Sequence, residues 1–171
     1  MELLVVISVL GIILAFFVPP IVGRITTNAK RTATQQQLRV LRDAIAGNPE
    51  ALSGGEMIST GFKNDVGRLP RHLIELVTKN PFLPPYDKIL YVGKETLATW
   101  NPYTQRGWNG PYVREDGQMS YLYDAWGDSI QFYVSPGTSG VETLGLKSRG
   151  PDGLWYPSPG ATADDDIRVR F

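Results

Sequence analysis

An uncharged apolar run from Leu3 to Val18 constrains this chain more than any other feature. Only Ser8 and Gly11 relieve it, and Ile21 and Val22 extend it. The segment therefore reaches roughly the 20 residues that a helix needs to cross a bilayer core. A helix in a globular core would keep one polar face, whereas this one is apolar all round. The sequence predicts a membrane-spanning helix over residues 1–23.

The residues that flank this run do not suit a cleavable secretory signal, which carries bases ahead of the apolar stretch and small residues behind it. Here Glu2 precedes the run and Pro19-Pro20 follow it. A carboxylate at the edge of a span is costly unless it lies among headgroups or is paired. Glu2 therefore either lies at the interface or pairs with the N-terminal ammonium of a neighbouring copy. The prolines lack an amide hydrogen, so we expect them to interrupt the helix and let it kink.

An amphipathic helix is predicted to follow, because apolar residues recur at helical spacing as far as Ile45. Gly47-Asn48-Pro49 is a stop signal, so the helix should end near Ala46. Its apolar stripe comprises Ile21, Ile25, Ala29, Ala33, Leu38, Leu41 and Ile45. Between the apolar run and Asp43 the charged residues are all cations, a pattern that usually marks a cytoplasmic flank: Arg24, Lys30, Arg31, Arg39 and Arg42.

Composition limits what the rest of the chain does. Its 171 residues suffice for one domain with a core, and 17 basic against 17 acidic residues point to no nucleic-acid partner. Without cysteine there is no disulfide or thiolate site, and a Ser-His-Asp hydrolase would depend on the single histidine, His72. His72 falls in a short helix predicted from "LPRHLIELVTKNP", where a surface or half-buried role is favoured over catalysis.

Strand patterns appear late in the chain. Tyr121 and Tyr123 alternate before a turn, and Ile130, Phe132 and Val134 alternate after it, while "GVETLGLKS" and "DIRVRF" are further short strands. These segments predict an antiparallel sheet of three or four strands that covers the amphipathic helix. The predicted fold class is α+β, with a long helix over 1–46 and a globular head over 47–171.

Aromatic residues between positions 81 and 117 allow two interpretations. Trp100, Trp108 and Tyr112 suit stacking platforms for a sugar, but aromatics also pin loops onto a small core. We favour packing over sugar binding.

The acidic C-terminal region, "GPDGLWYPSPGATADDDI", poses the sharpest chemical question. It joins Asp152, in a turn, to three consecutive aspartates at 164–166. Such a run is usually a solvated loop, and a catalytic carboxylate pair would need a cleft that nothing here indicates. Calcium takes six to eight oxygen ligands in flexible geometry, and Gly150 and Gly153 would let the loop curl around an ion. The spacing is not that of an EF-hand.

The N-terminal segment "MELLVVISVLGIILAFFVPPIVGR" resembles that of type IV pilin-like proteins, which carry a Glu near the start of a long apolar helix and a Pro about seventeen residues later. Glu2 and Pro19 match these positions. In that family a prepilin peptidase removes a basic leader and the Glu is the fifth residue of the mature, methylated chain. The same register here implies that a leader and three mature residues precede this sequence.

Further segments narrow the resemblance to the major, G-type pseudopilins of type II secretion. They are "GRLPRHLIELVTKNP", "RGWNGPYV", "DAWGDSIQFYVSPG" and "GPDG…DDDI", in that order. Ala125 departs from a proline in the family's turn, and residues 47–66 and 82–106 look longer than in compact members. The resemblance implies a pilin fold and a calcium loop. Its implied ligands are the side chains of Asp152, Asp165 and Asp166 and the carbonyls of Arg149 and Ala163; Asp164 is not a fixed ligand.

The function this implies is structural rather than enzymatic: a subunit that polymerises into a helical pseudopilus driving type II secretion. It would lie in the bacterial inner membrane, with lipid as its first partner and its head in the periplasm. In this orientation the cations after the span face away from the cytoplasm, and the basic leader that the resemblance implies would outweigh them. Other copies, minor pseudopilins and an inner-membrane assembly platform are the implied partners, with Glu2 pairing to a neighbour and Pro19 and Pro20 letting the helix stretch. A type IV pilin or minor pilin of an extracellular filament is the alternative. A membrane-anchored glycan-binding module is another, and an anchored enzyme has least support.

Overall fold

The structure is a computed structural model that describes residues 2–48, 52–53, 56–57, 61–135, 143–161 and 165–171. For residues 2, 14–22, 52–53, 56–57, 135 and 143 it describes the backbone alone. The fold is α+β: one long N-terminal helix precedes a head that contains a three-stranded antiparallel sheet. This confirms the predicted fold class at that level.

Helix α1 spans Glu2–Ala46 without interruption. Its helical backbone continues through Pro19 and Pro20, so the predicted interruption is wrong. Each proline lacks an amide donor and its ring crowds the carbonyl four residues earlier, but the residues on either side are helical and α1 continues through both prolines. The predicted end is confirmed: Gly47 adopts a left-handed conformation, φ 88°, and its N–H donates to the carbonyl of Asp43 at 2.9 Å.

The first part of α1 is apolar and uncovered. Every described side chain from Leu3 to Ile13 is exposed, and Leu3 is 72% exposed. Among the residues whose side chains the structure describes, no helix has the length and apolar character that crossing a membrane requires. The predicted span, 1–23, includes residues 14–22, whose side chains lie outside that description, so the span stays a prediction.

The second part of α1 packs into the head. Leu38, Leu41 and Ile45 are at most 1% exposed and form one core with residues of the sheet and loops. This confirms the rear of the predicted stripe. Its front is uncovered where the structure describes it: Ile25, Ala29 and Ala33 are exposed, and Thr34 is the first buried residue among the described side chains of α1. Ile21 lies outside the described side chains.

The sheet consists of β3 (Gln131–Ser135), β4 (Thr143–Ser148) and β5 (Ile167–Arg170), in the order β3-β4-β5. Neighbours pair antiparallel, with Phe132 opposite Leu146 and Leu146 opposite Val169. Helix α1 lies against β4 and β5. The three C-terminal strand predictions are therefore confirmed.

Two two-residue strands, β1 (Leu52–Ser53) and β2 (Glu56–Met57), form a separate hairpin, and α2 (Phe62–Val66) follows.

Two predicted elements are wrong in type. Tyr121 lies in a 3-10 turn, Ser120–Leu122, rather than in a strand, because Tyr121 and Leu122 both point into the core and alternation is lost. Tyr123 keeps only an isolated bridge to Ser129. The helix predicted around His72 shrinks to a 3-10 turn, Leu73–Leu76.

Candidate functional site

The turn at Gly150–Asp152 lies directly against Asp165, as the predicted calcium loop requires. Gly150 is buried with φ 71°, and a Cβ built on it would lie 2.5 Å from the carbonyl oxygen of Asp165. The same Cβ would lie 3.5 Å from Cγ of Asp165. Both the backbone conformation and the close approach require glycine here. Two segments that are thirteen to fifteen positions apart in the chain therefore meet.

Two carboxylate oxygens at this junction lack partners. Oδ1 of Asp165 and Oδ1 of Asp166 are buried and accept no hydrogen bond within the described part of the chain. Burial, with the charges of Asp152 and then Asp166, raises the pKa of Asp165 above its ordinary value. Because buried carboxylate oxygens normally have partners, these two fit a hard cation such as calcium.

Two further oxygens of these carboxylates are already used by protein donors. Oδ2 of Asp166 accepts from a guanidinium nitrogen of Arg168 at 2.8 Å and from the N–H of Tyr156 at 3.4 Å. Oδ1 of Asp152 accepts from the N–H of Leu154 at 2.8 Å. In the described ranges, no three histidine or acidic side chains are arranged as a metal-binding group. The predicted aspartates come together, but as a partial ligand set.

Of the other residues considered for the calcium site, the structure describes only Arg149. Arg149 immediately precedes the turn, and its side chain lies over the ring of Trp155, with Cζ 5.2 Å from the ring centroid. Nζ of Lys147 lies 3.9 Å from the same centroid, which holds the following loop against β4. Ala163 and Asp164 lie outside the described residues.

Sequence reasoning missed the support beneath this turn. Ser148, at the end of β4, donates its hydroxyl hydrogen to Oδ2 of Asp124 at 2.6 Å and accepts from the N–H of Gly150 at 3.2 Å. Oδ1 of Asp124 accepts from the N–H groups of Trp126 and Asp128, each at 2.9 Å. The "DAWGD" turn contained the signal, since an aspartate at the start of a turn binds amides that follow it.

Helix α1 is hydrogen-bonded to the 120–128 segment, which contains the "DAWGD" turn. Oγ1 of Thr34, fully buried, accepts from the N–H of Ala125 at 3.2 Å. Nε2 of Gln37 donates to the carbonyls of Ser120 and Tyr123 at 2.9 and 2.8 Å. A continuous path of hydrogen bonds thus runs from α1 through the 120–128 segment to the candidate calcium turn.

The candidate sugar-stacking aromatics are mostly engaged in packing. Trp108 and Tyr112 meet edge to face at 5.9 Å, and Tyr112 meets Phe62 in the same way at 5.7 Å. The indole N–H of Trp108 donates to the carbonyl of Glu75 at 2.7 Å, and the hydroxyl of Tyr112 donates to Asp65 at 2.8 Å. Trp100 is half-buried. These contacts favour the packing interpretation.

His72 has a structural position. Its Nδ1 accepts from the N–H of Ile74 at 3.3 Å, capping the 3-10 turn, and its ring stacks on Tyr91 at 4.8 Å. Burial, and then the charge of Lys94, lowers the pKa of His72. The neutral imidazole is therefore favoured, as a hydrogen-bond acceptor requires.

The residues predicted to act in assembly lie in α1. The backbone of Glu2, Pro19 and Pro20 is helical, and their side chains lie outside the described part. Comparisons of this chain with protein-family models, with curated proteins and with solved structures found no match.

Proposed function

We propose that this chain is a structural subunit of a helical filament of the type IV pilin-like class, closest in kind to the major pseudopilin of type II secretion. One observation carries the proposal. A single helix presents exposed apolar side chains from Leu3 to Ile13 and buries its other end in an α+β head. Exposed apolar surface of this extent needs a cover, and lipid or the helices of other copies would supply it.

The sequence pattern indicates what covers the exposed apolar side chains of α1. The match of Glu2 and Pro19 to the pilin-like segment supports storage in the inner membrane followed by helix-to-helix packing in a filament. In this proposal the carboxylate of Glu2 pairs with the N-terminal ammonium of a neighbour and sets the register in an otherwise apolar core. The head lies in the periplasm, and minor pseudopilins and an inner-membrane platform complete the assembly.

Calcium is part of the proposal. The side chains of Asp152, Asp165 and Asp166, with the carbonyls of Arg149 and Ala163, would hold the ion. Oδ1 of Asp165 and Oδ1 of Asp166 are buried acceptors still open to it. A divalent cation there would offset the repulsion among these carboxylates and join β5 to the preceding turn, so its binding would add to the stability of the folded state.

Electron microscopy of cells that express the full chain with the secretion machinery tests the proposal. We expect helical filaments from the wild-type chain. A Glu2→Ala variant should accumulate in the membrane, with the head folded, and yield far fewer filaments. Filaments from Glu2→Ala at wild-type abundance would contradict the role given to this residue, and no filaments from the wild-type chain would contradict the function.

The alternative of an extracellular type IV pilin or minor pilin shares this structure, and filament location separates it from the first proposal. Filaments on the cell surface without any effect on protein secretion would favour the pilin. A glycan-binding module has weaker support, because Trp108 and Tyr112 are packed edge to face rather than presented as a flat platform.

A further inference from the structure

We propose that a basic cleft between α1 and β5 binds carboxylates of a second copy of this chain; the proposal rests on the filament function above. The cleft has a volume of about 300 Å³. Arg31, Gln35 and Arg39 line it from α1, and the C-terminal segment lines the other side with Asp166, Ile167, Arg168 and Val169, so three cations face one acid. The three helical residues are four apart, so they lie on one face of the helix.

The two helical arginines are available for an outside partner. Arg31 and Arg39 are both exposed, and neither side chain forms a hydrogen bond or ion pair within the described ranges. The third cation, Arg168, already binds Oδ2 of Asp166 at 2.8 Å. Guanidinium groups bind carboxylates through two parallel hydrogen bonds, so this cleft fits an acidic ligand.

The distribution of charge along the chain points to a second copy. Of the 17 basic and 17 acidic residues, five basic and two acidic residues lie in positions 1–46, which leaves 12 basic and 15 acidic residues in positions 47–171. The helix is thus net positive and the head net negative. Copies staggered along a filament axis would bring the helix of one against the head of the next, and such complementarity favours one register.

Distance argues against the lipid phosphate as the ligand. At 1.5 Å per residue, Arg31 lies about 12 Å and Arg39 about 24 Å along the helix beyond residue 23, the end of the predicted span. The headgroup layer on one side of a bilayer is only about 5–8 Å thick. Arg39 therefore lies well outside the reach of headgroups when the helix stands in the membrane.

The first experiment measures association of the full chain in detergent micelles, by cross-linking yield. Arg31→Glu combined with Arg39→Glu should weaken association at least about tenfold, a loss typical of opposed charges at a contact. Lys63→Glu combined with Lys88→Glu is the matched control, since both lysines are exposed and the net charge changes equally. The control should associate normally, and both variants should keep the wild-type melting temperature. Equal association of the arginine variant and the wild type would overturn the proposal.

The second experiment identifies the ligand. The chain has no cysteine, so Gln35→Cys gives one attachment point for a photoreactive benzophenone. We expect cross-links from this position to an acidic head peptide of a second copy. Two results would overturn the proposal. One is that the probe cross-links only to lipid in vesicles containing phosphatidylglycerol, and the other is that it cross-links only within its own chain and not to a second copy.

The two proposals fail separately. Cross-links between copies without any filaments would leave the cleft assigned and the filament function wrong. Filaments that form equally well from the variant with Arg31→Glu and Arg39→Glu would support the filament function and contradict the role proposed for the cleft.

Discussion

The hydroxyl of Ser148 lies 2.6 Å from Oδ2 of Asp124, and neither residue is more than 7% exposed. Through this hydrogen bond the end of β4 is tied to the turn that also contacts α1. The acceptor is a buried carboxylate without an ion-pair partner in the described part of the chain. Its stability in the core therefore depends on its hydroxyl and amide donors.

Ser148→Ala should be destabilising, because it removes one of these donors and leaves the N–H of Gly150 without its acceptor. A hydrogen bond to a charged group contributes about 1.5–3 kcal/mol. For a chain of this size we expect a melting temperature lower by about 4–10 °C. Ser158→Ala is the control, because Ser158 is exposed. Equal melting temperatures for the two variants would show that the Ser148 bond contributes nothing.

Gly150→Ala should be more destabilising than Gly127→Ala. Both glycines have positive φ, 71° and 93°, so both substitutions incur backbone strain of about 1 kcal/mol. Only at Gly150 would the added Cβ also meet backbone, 2.5 Å from the carbonyl oxygen of Asp165, whereas at Gly127 nothing lies within 4 Å. The difference between the melting temperatures of the two variants measures the cost of this contact. Equal decreases in melting temperature would contradict the prediction, because they would show that the Asp165 segment moves to accept the Cβ without cost.

Arg68→Ala should lower the free energy of unfolding by about 1.5–3 kcal/mol, the typical contribution of a hydrogen bond to a charged group. Glu75 keeps donors from the Arg71 N–H and the Tyr91 hydroxyl. Oε2 of Glu75, whose side chain is fully buried, accepts from Arg68 at 2.8 Å. Arg71→Ala is the matched variant, since its ion pair with Glu95 is 3.2 Å long and joins two half-exposed side chains. Exposed pairs contribute at most about 1 kcal/mol. Chemical unfolding should give a lower free energy of unfolding for Arg68→Ala than for Arg71→Ala. A lower value for Arg71→Ala would contradict the prediction.

Asp165→Asn should stabilise the calcium-free protein and abolish its stabilisation by calcium. The folded-state pKa of Asp165 is raised by burial and by Asp152 and Asp166 from an ordinary value of 3.8. A raised carboxyl pKa means that the ionised form is disfavoured by folding, so this group lowers stability above its folded pKa. The penalty disappears as the pH falls through that pKa towards 3.8.

The measurement compares melting temperatures in chelator and in calcium across pH. In chelator, the gap between Asp165→Asn and wild type should narrow on acidification, and calcium should raise the melting temperature of the wild type alone. A wild-type protein that melts at one temperature with and without calcium would contradict the site.

Several features could be predicted from local sequence because local forces decide them. The end of α1 at Ala46 follows from the conformational freedom of Gly47, and β5 follows from the alternation in "IRVRF". The meeting of Asp152 with the 165–166 segment was predicted by resemblance, and the contact of Gly150 with Asp165 supports it. The strand predicted at Tyr121 was wrong, because two consecutive side chains are buried there and the core outweighs the pattern.

The sequence by itself determined the long helix, the apolar character of its first part and the three C-terminal strands, since these depend on residues that are neighbours in the chain. Only the tertiary structure decided that Thr34 is the first buried residue among the described side chains of α1, and which donors surround Asp124. It also decided that Oδ1 of Asp165 and of Asp166 stay without protein partners in the described ranges. These features depend on contacts between residues up to 91 positions apart, as Thr34 and Ala125 are, and no local pattern specifies which distant group arrives.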